Sequence, residues 1–214
     1  MNPRGSAALG LLVAGAVLVT ACGIRPPGPR DAGGDAQQAY QERAGRLAEL
    51  SGWRLTGRVS VRGGEQSGQV RVRWRRDGDG SRLAVSNPFG QTLLRLRRDA
   101  AGLRLQDDRG RVYTDGAARR VLRARLGWRV PLGRLDEWVL GMARKGAVPA
   151  AVDEQGRPLR IQAGPWQVSY AHYEEVSGVW LPRELTVGRD GLKLRVRVDD
   201  WELSWAAAGK GDQA

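Results

Sequence analysis

Ser81-Arg82-Leu83-Ala84-Val85-Ser86-Asn87-Pro88-Phe89-Gly90-Gln91-Thr92-Leu93-Leu94-Arg95-Leu96-Arg97-Arg98 is the stretch that decides the fold. Leu83 and Val85 alternate with Arg82 and Ala84, and Leu94 and Leu96 alternate with Arg95 and Arg97, so each flank has the two-residue period of a half-buried strand. Between them Asn87, Pro88 and Gly90 are turn formers, which makes the connection a surface loop, yet it holds Phe89, the only Phe in the chain. That side chain either folds back to cap the end of the sheet or reaches outward as an apolar finger.

The same alternation spreads in both directions. Upstream, Trp53, Leu55, Gly57, Val59 and Val61 alternate with arginines and small polar residues, and Val70, Val72 and Trp74 alternate with Arg71, Arg73 and Arg75. Downstream come Leu103/Leu105 and a short strand with Val112 and Tyr113. The turns Asp77-Gly78-Asp79-Gly80, Asp99-Ala100-Ala101-Gly102 and Asp107-Asp108-Arg109-Gly110 are too short for crossovers, so these strands form an antiparallel meander. Its sheet has one apolar face and one arginine-rich face.

Helical spacing appears in three places. Asp35 caps a helix running to about Leu50, with Ala36, Tyr40, Ala44 and Leu47 on one face, and Ser51-Gly52 stops it. Ala117 to Leu126 groups Val121, Leu122 and Leu126, and Pro131 suits the first turn of a helix that brings Leu132, Leu135, Trp138 and Val139 together before Gly141. Strands then resume with Leu159/Ile161, Trp166/Val168/Tyr170, Leu185/Val187 and Leu192/Leu194/Val196/Val198; Trp201 and Leu203 fall out of phase, which predicts a bulge at Asp199-Asp200. The middle helices can cover the concave face. The apolar residues beneath them either form a dense core or enclose a cavity.

Composition narrows the setting. The chain has 214 residues and a net charge of +12, carried by Arg, since Lys stands only at positions 145, 193 and 210. Such a balance points to nucleic acid or an anionic membrane surface. The N-terminus decides between them: Arg4 and the apolar run Ala7 to Thr20 form an export signal over residues 1–21, ending in Val19-Thr20-Ala21-Cys22, which resembles the lipobox of bacterial lipoproteins. Cys22, the only cysteine, is then the lipidated N-terminus, and a Pro/Gly-rich tether over residues 22–34 leads to a domain at 35–205 and a frayed tail at 206–214. Export and lipidation separate the protein from nucleic acid.

No chemistry emerges from the residues. His172 is the only histidine and has no partner for a metal or a Cys/His pair, and Asp107/Asp108 and Asp199/Asp200 sit at turns, where carboxylates bond local backbone N–H groups. No cofactor is expected, and no enzyme.

The ordered set Gly57-Arg58, Trp74, Asn87-Pro88-Phe89-Gly90, Pro131-Leu132 through Trp138-Val139-Leu140-Gly141, Trp166 with Val168 and Tyr170, Leu181-Pro182 and Asp199-Asp200-Trp201 resembles the LolB family of outer-membrane lipoprotein acceptors. The resemblance implies a mainly β, single-domain incomplete antiparallel β-barrel, a curved sheet with helices covering an apolar cavity. It implies a monomer, anchored at Cys22 in the outer membrane and facing the periplasm, that takes lipoprotein acyl chains from the carrier LolA and inserts them among outer-membrane lipids. Candidate lining residues are Trp53, Leu55, Val59, Val70, Val72, Trp74, Leu83, Val85, Leu94, Leu96, Leu105, Leu135, Trp138, Trp166, Val168 and Leu185, with Pro88, Phe89 and Gly90 as the membrane-insertion loop. Phe89 stands where the family usually has Leu. The alternative is an anchored envelope-binding module with a filled barrel that presents Arg71, Arg73, Arg75, Arg95 and Arg97 to an anionic partner.

Overall fold

The structure, a computed structural model, describes residues 32–63, 67–126, 131–143 and 149–206. The export signal, Cys22, the tether up to residue 31 and the tail beyond Ala206 lie outside the described residues. All described elements fall within one compact unit, Asp31–Ala214.

Helix α1 (Ala32–Ala48) starts before Asp35, which sits in its first turn, where a carboxylate favours the positive end of the helix dipole. It also ends early. Leu50, expected in the helix, is the first residue of strand β1 (Leu50–Arg62), because its backbone pairs with Trp205 at the far end of the chain. Gly52 lies so close to the next strand that a Cβ would meet the Arg76 carbonyl oxygen at 2.7 Å; it is there for strand approach and not as a helix stop.

Strands β2 (Gly68–Asp77), β3 (Gly80–Ser86), β4 (Thr92–Asp99), β5 (Gly102–Asp107) and β6 (Val112–Thr114) complete the first meander. Helices α2 (Asp115–Leu126) and α3 (Leu132–Val139) follow, then β7 (Ala151–Val152), β8 (Pro158–Ala163), β9 (Trp166–Val176), β10 (Val179–Arg189) and β11 (Leu192–Trp205). Because β11 pairs with β1, the two meanders join in an 11-stranded sheet of order β6-β5-β4-β3-β2-β1-β11-β10-β9-β8-β7. Strands β6 and β7 remain its edges, so the barrel is incomplete.

Periodicity missed β7, which is too short to alternate, and the first half of β10. Pro182 sits inside β10, where a missing N–H is tolerated only at an edge or irregularity. The pairing of β10 with β9 shifts on either side of Glu184, and the Trp201 indole N–H donates to the Pro182 carbonyl at 3.2 Å. The β1–β11 register also shifts between Thr56 and Gly57, leaving Asp199 as the extra residue of a bulge.

Pro131 is the N-cap of α3 and not a first-turn residue. At the other end Gly141, at φ +69°, lets its N–H bond the Trp138 carbonyl at 3.0 Å and the Met142 N–H bond the Glu137 carbonyl at 2.9 Å. The buried face of α1 locks onto this end. Arg43 donates to the carbonyls of Leu140 at 2.6 Å, Gly141 at 2.9 Å and Trp180 at 2.9 Å, and the Tyr40 hydroxyl accepts the Ala143 N–H at 2.9 Å.

Asp107, at the β5–β6 turn, accepts the backbone N–H groups of Arg109 at 3.0 Å and Arg111 at 2.9 Å and the Arg111 Nε at 2.9 Å. Burial opposes its ionisation, but the bonds from Arg111 and Arg109 outweigh that and hold its carboxyl below the ordinary value. A depressed folded-state pKa stabilises above the unfolded value, about 3.9, and that stabilisation is lost as pH falls through the folded one. Asp107→Asn is therefore expected to lower the melting temperature at about pH 7 by a few degrees, with a much smaller effect near about pH 3. Equal shifts at both would show that the charge is not what holds the turn.

Candidate functional site: an apolar cavity under α2 and α3

Alternation sends Leu55, Val59 and Val61 of β1, Val70, Val72 and Trp74 of β2, Leu83 and Val85 of β3, and Leu94 and Leu96 of β4 to the concave face. With Leu185, Val187, Leu194 and Val196 of β10 and β11 they surround a cavity of about 700 Å³, within the usual range for ligand pockets, roughly 300–1,000 Å³. Leu122 and Arg125 of α2 and Leu132, Leu135, Trp138 and Val139 of α3 complete the wall.

Helix α3 is fixed in this position. Arg98 of β4 forms an ion pair with Asp136, which is 2% exposed, and Ser81 donates to the same carboxylate at 3.5 Å while accepting the Trp74 indole N–H at 2.8 Å. Burial raises the Asp136 pKa, against the opposing pull of Arg98 and Arg76. Tyr170 donates to the Trp138 carbonyl at 2.8 Å. So held, α3 drives Trp138 against Trp166, with ring centroids 6.1 Å apart, and fills the β8–β9 side of the barrel. The β1–β4 side stays open between α3 and α2.

That asymmetry separates the expected lining residues. Leu55, Val59, Val70, Val72, Trp74, Leu83, Val85, Leu94, Leu96, Leu135, Trp138 and Leu185 all face the cavity. Trp53, Leu105, Trp166 and Val168 do not. Trp53 is wedged edge-on between Trp74 and Trp201, at centroid distances of 5.4 and 5.8 Å; Trp166 and Val168 belong to the filled side, and Leu105 packs with Ala118 and Leu122 in a second apolar cluster. All four have the right parity, but parity selects a face and not a depth. Of the lining residues missed, Val61, Val187, Leu194 and Val196 share that parity and Leu122, Leu132 and Val139 lie on the helix faces already described, whereas Leu93, next to Leu94 and of the opposite parity, and Ala124 and Arg125 of α2 carried no such signal.

The β3–β4 loop is built by its own hydrogen bonds. The Asn87 N–H bonds the Gln91 carbonyl at 2.9 Å, the Gly90 N–H bonds the Asn87 carbonyl at 3.0 Å, and the Gln91 N–H bonds Asn87 Oδ1 at 3.0 Å. Pro88 presets one dihedral and Gly90 takes φ +91°. Phe89 is 95% exposed, so it does not cap the sheet. His172 is an exposed residue of β9, and among the described residues no cluster of His, Cys, Asp and Glu could hold a metal ion.

The model of the family "Outer membrane lipoprotein LolB" matches residues 51–201. The chain is 30% identical over 200 residues to the outer-membrane lipoprotein LolB of Nitrosococcus oceani, which covers 91% of this chain and 97% of that protein. It is 33% identical over 171 residues to the outer-membrane lipoprotein LolB of Xylella fastidiosa, covering 78% of each. Among solved structures, a DUF1329 family protein from Desulfovibrio piger shares the fold at a TM-score of 0.50 and 11% identity, over 84% of this chain and 95% of that one. A match that runs from Ser51 in β1 to Trp201 in β11, and so spans the concave strands together with α2 and α3, makes the chain a member of the outer-membrane lipoprotein LolB family.

Proposed function

We propose that the protein takes the acyl chains of other lipoproteins from the periplasmic carrier LolA into the cavity between α2, α3 and the β1–β4 face, and releases them into the outer membrane. As a member of the LolB family it is an outer-membrane lipoprotein with a role in lipoprotein localisation, and not an enzyme. In this reading residues 1–21 are the export signal, Cys22 is the lipid anchor, and the domain works as a monomer on its tether.

The observation that carries the proposal is the cavity: ≈ 700 Å³ walled by Leu, Val and Trp side chains. At about 0.8 kcal/mol per buried CH₂, a sixteen-carbon acyl chain gains roughly 13 kcal/mol on leaving water, so it needs a continuous apolar shelter in transit. Transfer then requires a shelter and no bond chemistry. Phe89 supports a release step, because burying an exposed Phe in lipid contributes about 1.5–3 kcal/mol, too little to anchor the protein but enough to bias where cargo leaves.

The test is to mix Cys22→Ala protein with LolA carrying a labelled lipoprotein. The label should move to the Cys22→Ala chain, and a label that stays on the carrier defeats the proposal. In the same assay Phe89→Leu should deliver into vesicles almost normally, while Phe89→Glu should accept cargo yet deliver it at least about tenfold more slowly. Wild-type delivery by a folded Phe89→Glu protein would remove the loop from the release step.

A further inference from the structure

The outward face of the first meander carries an arrangement that the cavity does not explain. Arg54 of β1 is the direct cross-strand neighbour of Arg75 on β2, Arg75 of Arg82 on β3, Arg82 of Arg97 on β4, and Arg97 of Arg104 on β5. An arginine therefore stands in the same row on every strand from β1 to β5. At a strand spacing of about 4.8 Å the row is roughly 19 Å long. Like charges directly opposite one another destabilise a sheet, so folding alone does not favour this row.

The next row repeats the theme with spacers: Arg73 pairs with Ala84, and Ala84 with Arg95. The small Ala84 leaves a dip between the two guanidinium groups, part of an open depression of about 580 Å³ bordered by both rows. Carboxylates reach only some of these side chains. Glu202 pairs with Arg54 at 2.8 Å, Asp77 with Arg75 at 2.7 Å and Asp99 with Arg97 at 2.6 Å. Among the described residues Arg73, Arg82, Arg95 and Arg104 have no carboxylate partner, and all are exposed. The other end of the same outer face is balanced, with Arg195 on Glu184 and Arg183 on Glu174.

We propose that this arginine field is a docking surface for the phosphate-bearing headgroups of an anionic lipid bilayer. Guanidinium forks fit phosphate oxygens bidentately, and a row this long matches an extended polyanionic surface better than a single small anion, which could bridge only two neighbours. The β3–β4 hairpin that carries Arg82 and Arg95 ends in the exposed Phe89. Cations along a hairpin with an aromatic at its tip combine the two attractions of a membrane interface, headgroup charge and apolar insertion. The inference is independent of what the cavity holds.

The test uses the mature chain from residue 22 with Cys22→Ala, sedimented with vesicles of phosphatidylcholine alone or mixed with phosphatidylglycerol. Binding should require phosphatidylglycerol and weaken steeply with added salt. At roughly 1 kcal/mol per arginine near the surface, the triple variant Arg73→Gln, Arg82→Gln, Arg95→Gln should bind about 100-fold more weakly. Arg119→Gln, Arg120→Gln, Arg123→Gln, which removes the same charge from exposed positions on α2, should stay within about threefold of the parent. Thermal melts should show the first triple variant as stable as the parent or more so, since it relieves like-charge contacts. An equal loss in both triple variants would reduce the effect to net charge and overturn the site. So would binding without preference for phosphatidylglycerol, or a first variant that holds vesicles normally but no longer takes cargo from LolA, which would assign the face to an acidic protein surface.

Discussion

Arg43→Ala is expected to lower the stability of the domain by about 3–5 kcal/mol and its melting temperature by roughly 10 °C. Arg43 is 6% exposed and faces backbone carbonyls, with no ion-paired carboxylate among the described residues, and burial pulls its pKa below the ordinary arginine value. Two of the carbonyls it serves, those of Leu140 and Gly141, lie at the C-terminal end of α3, where no further turn of helix can satisfy them. Truncation leaves these acceptors together with the Trp180 carbonyl in a water-poor pocket, and it also removes the guanidinium stacked 5.7 Å from the Tyr173 ring. Arg43→Lys should recover only part of the loss, because a single ammonium cannot match a planar fork aimed at separate carbonyls. Calorimetric melts of both variants decide it. A loss below about 1 kcal/mol in Arg43→Ala would mean that α1 is not what fastens the end of α3.

Arg43 also shows how far the sequence can be read. It lies on the same α1 face as Ala36, Tyr40 and Leu47, so a charged residue on an apolar stripe was visible beforehand, but nothing local could reveal carbonyls contributed by residues 140, 141 and 180. Asp136 is similar: it sits among Leu135, Trp138 and Val139, and its partner Arg98 continues the inward parity of Leu94 and Leu96 on β4, where nothing local shows that a buried carboxylate waits for it. The sheet was far more legible, because a two-residue period needs no knowledge of partners, and tight turns permit only antiparallel neighbours. Legibility failed where backbone pairing overrode local preference, as at Leu50, and where Pro182 disguised a strand. For the cavity, parity placed side chains on the concave face, yet the division between filled and open halves depends on how deeply Trp138 is seated against Trp166.

That open half is where a buried charge should have the largest functional effect. Val85 of β3 lines the cavity and is only half-buried, whereas Val72, its cross-strand neighbour, is 6% exposed and belongs to the packed core. Val85→Glu is therefore the better probe, since its carboxylate can stay hydrated while no acyl chain is bound and the fold is spared. Seating an acyl chain would strip that hydration, at a cost of several kcal/mol per ion, and each 1.4 kcal/mol is a factor of ten in affinity. Acceptance of lipoprotein from LolA should thus fall by about three orders of magnitude or more. Val85→Gln, of similar shape without the charge, should lose much less, and lowering the pH toward the carboxyl range should restore part of the acceptance in Val85→Glu alone, because the protonated group is cheaper to dehydrate. If Val85→Glu folds and takes lipoprotein from the carrier as the parent does, acyl chains do not occupy the space between α2, α3 and the first meander, and the cargo must be held elsewhere on the molecule.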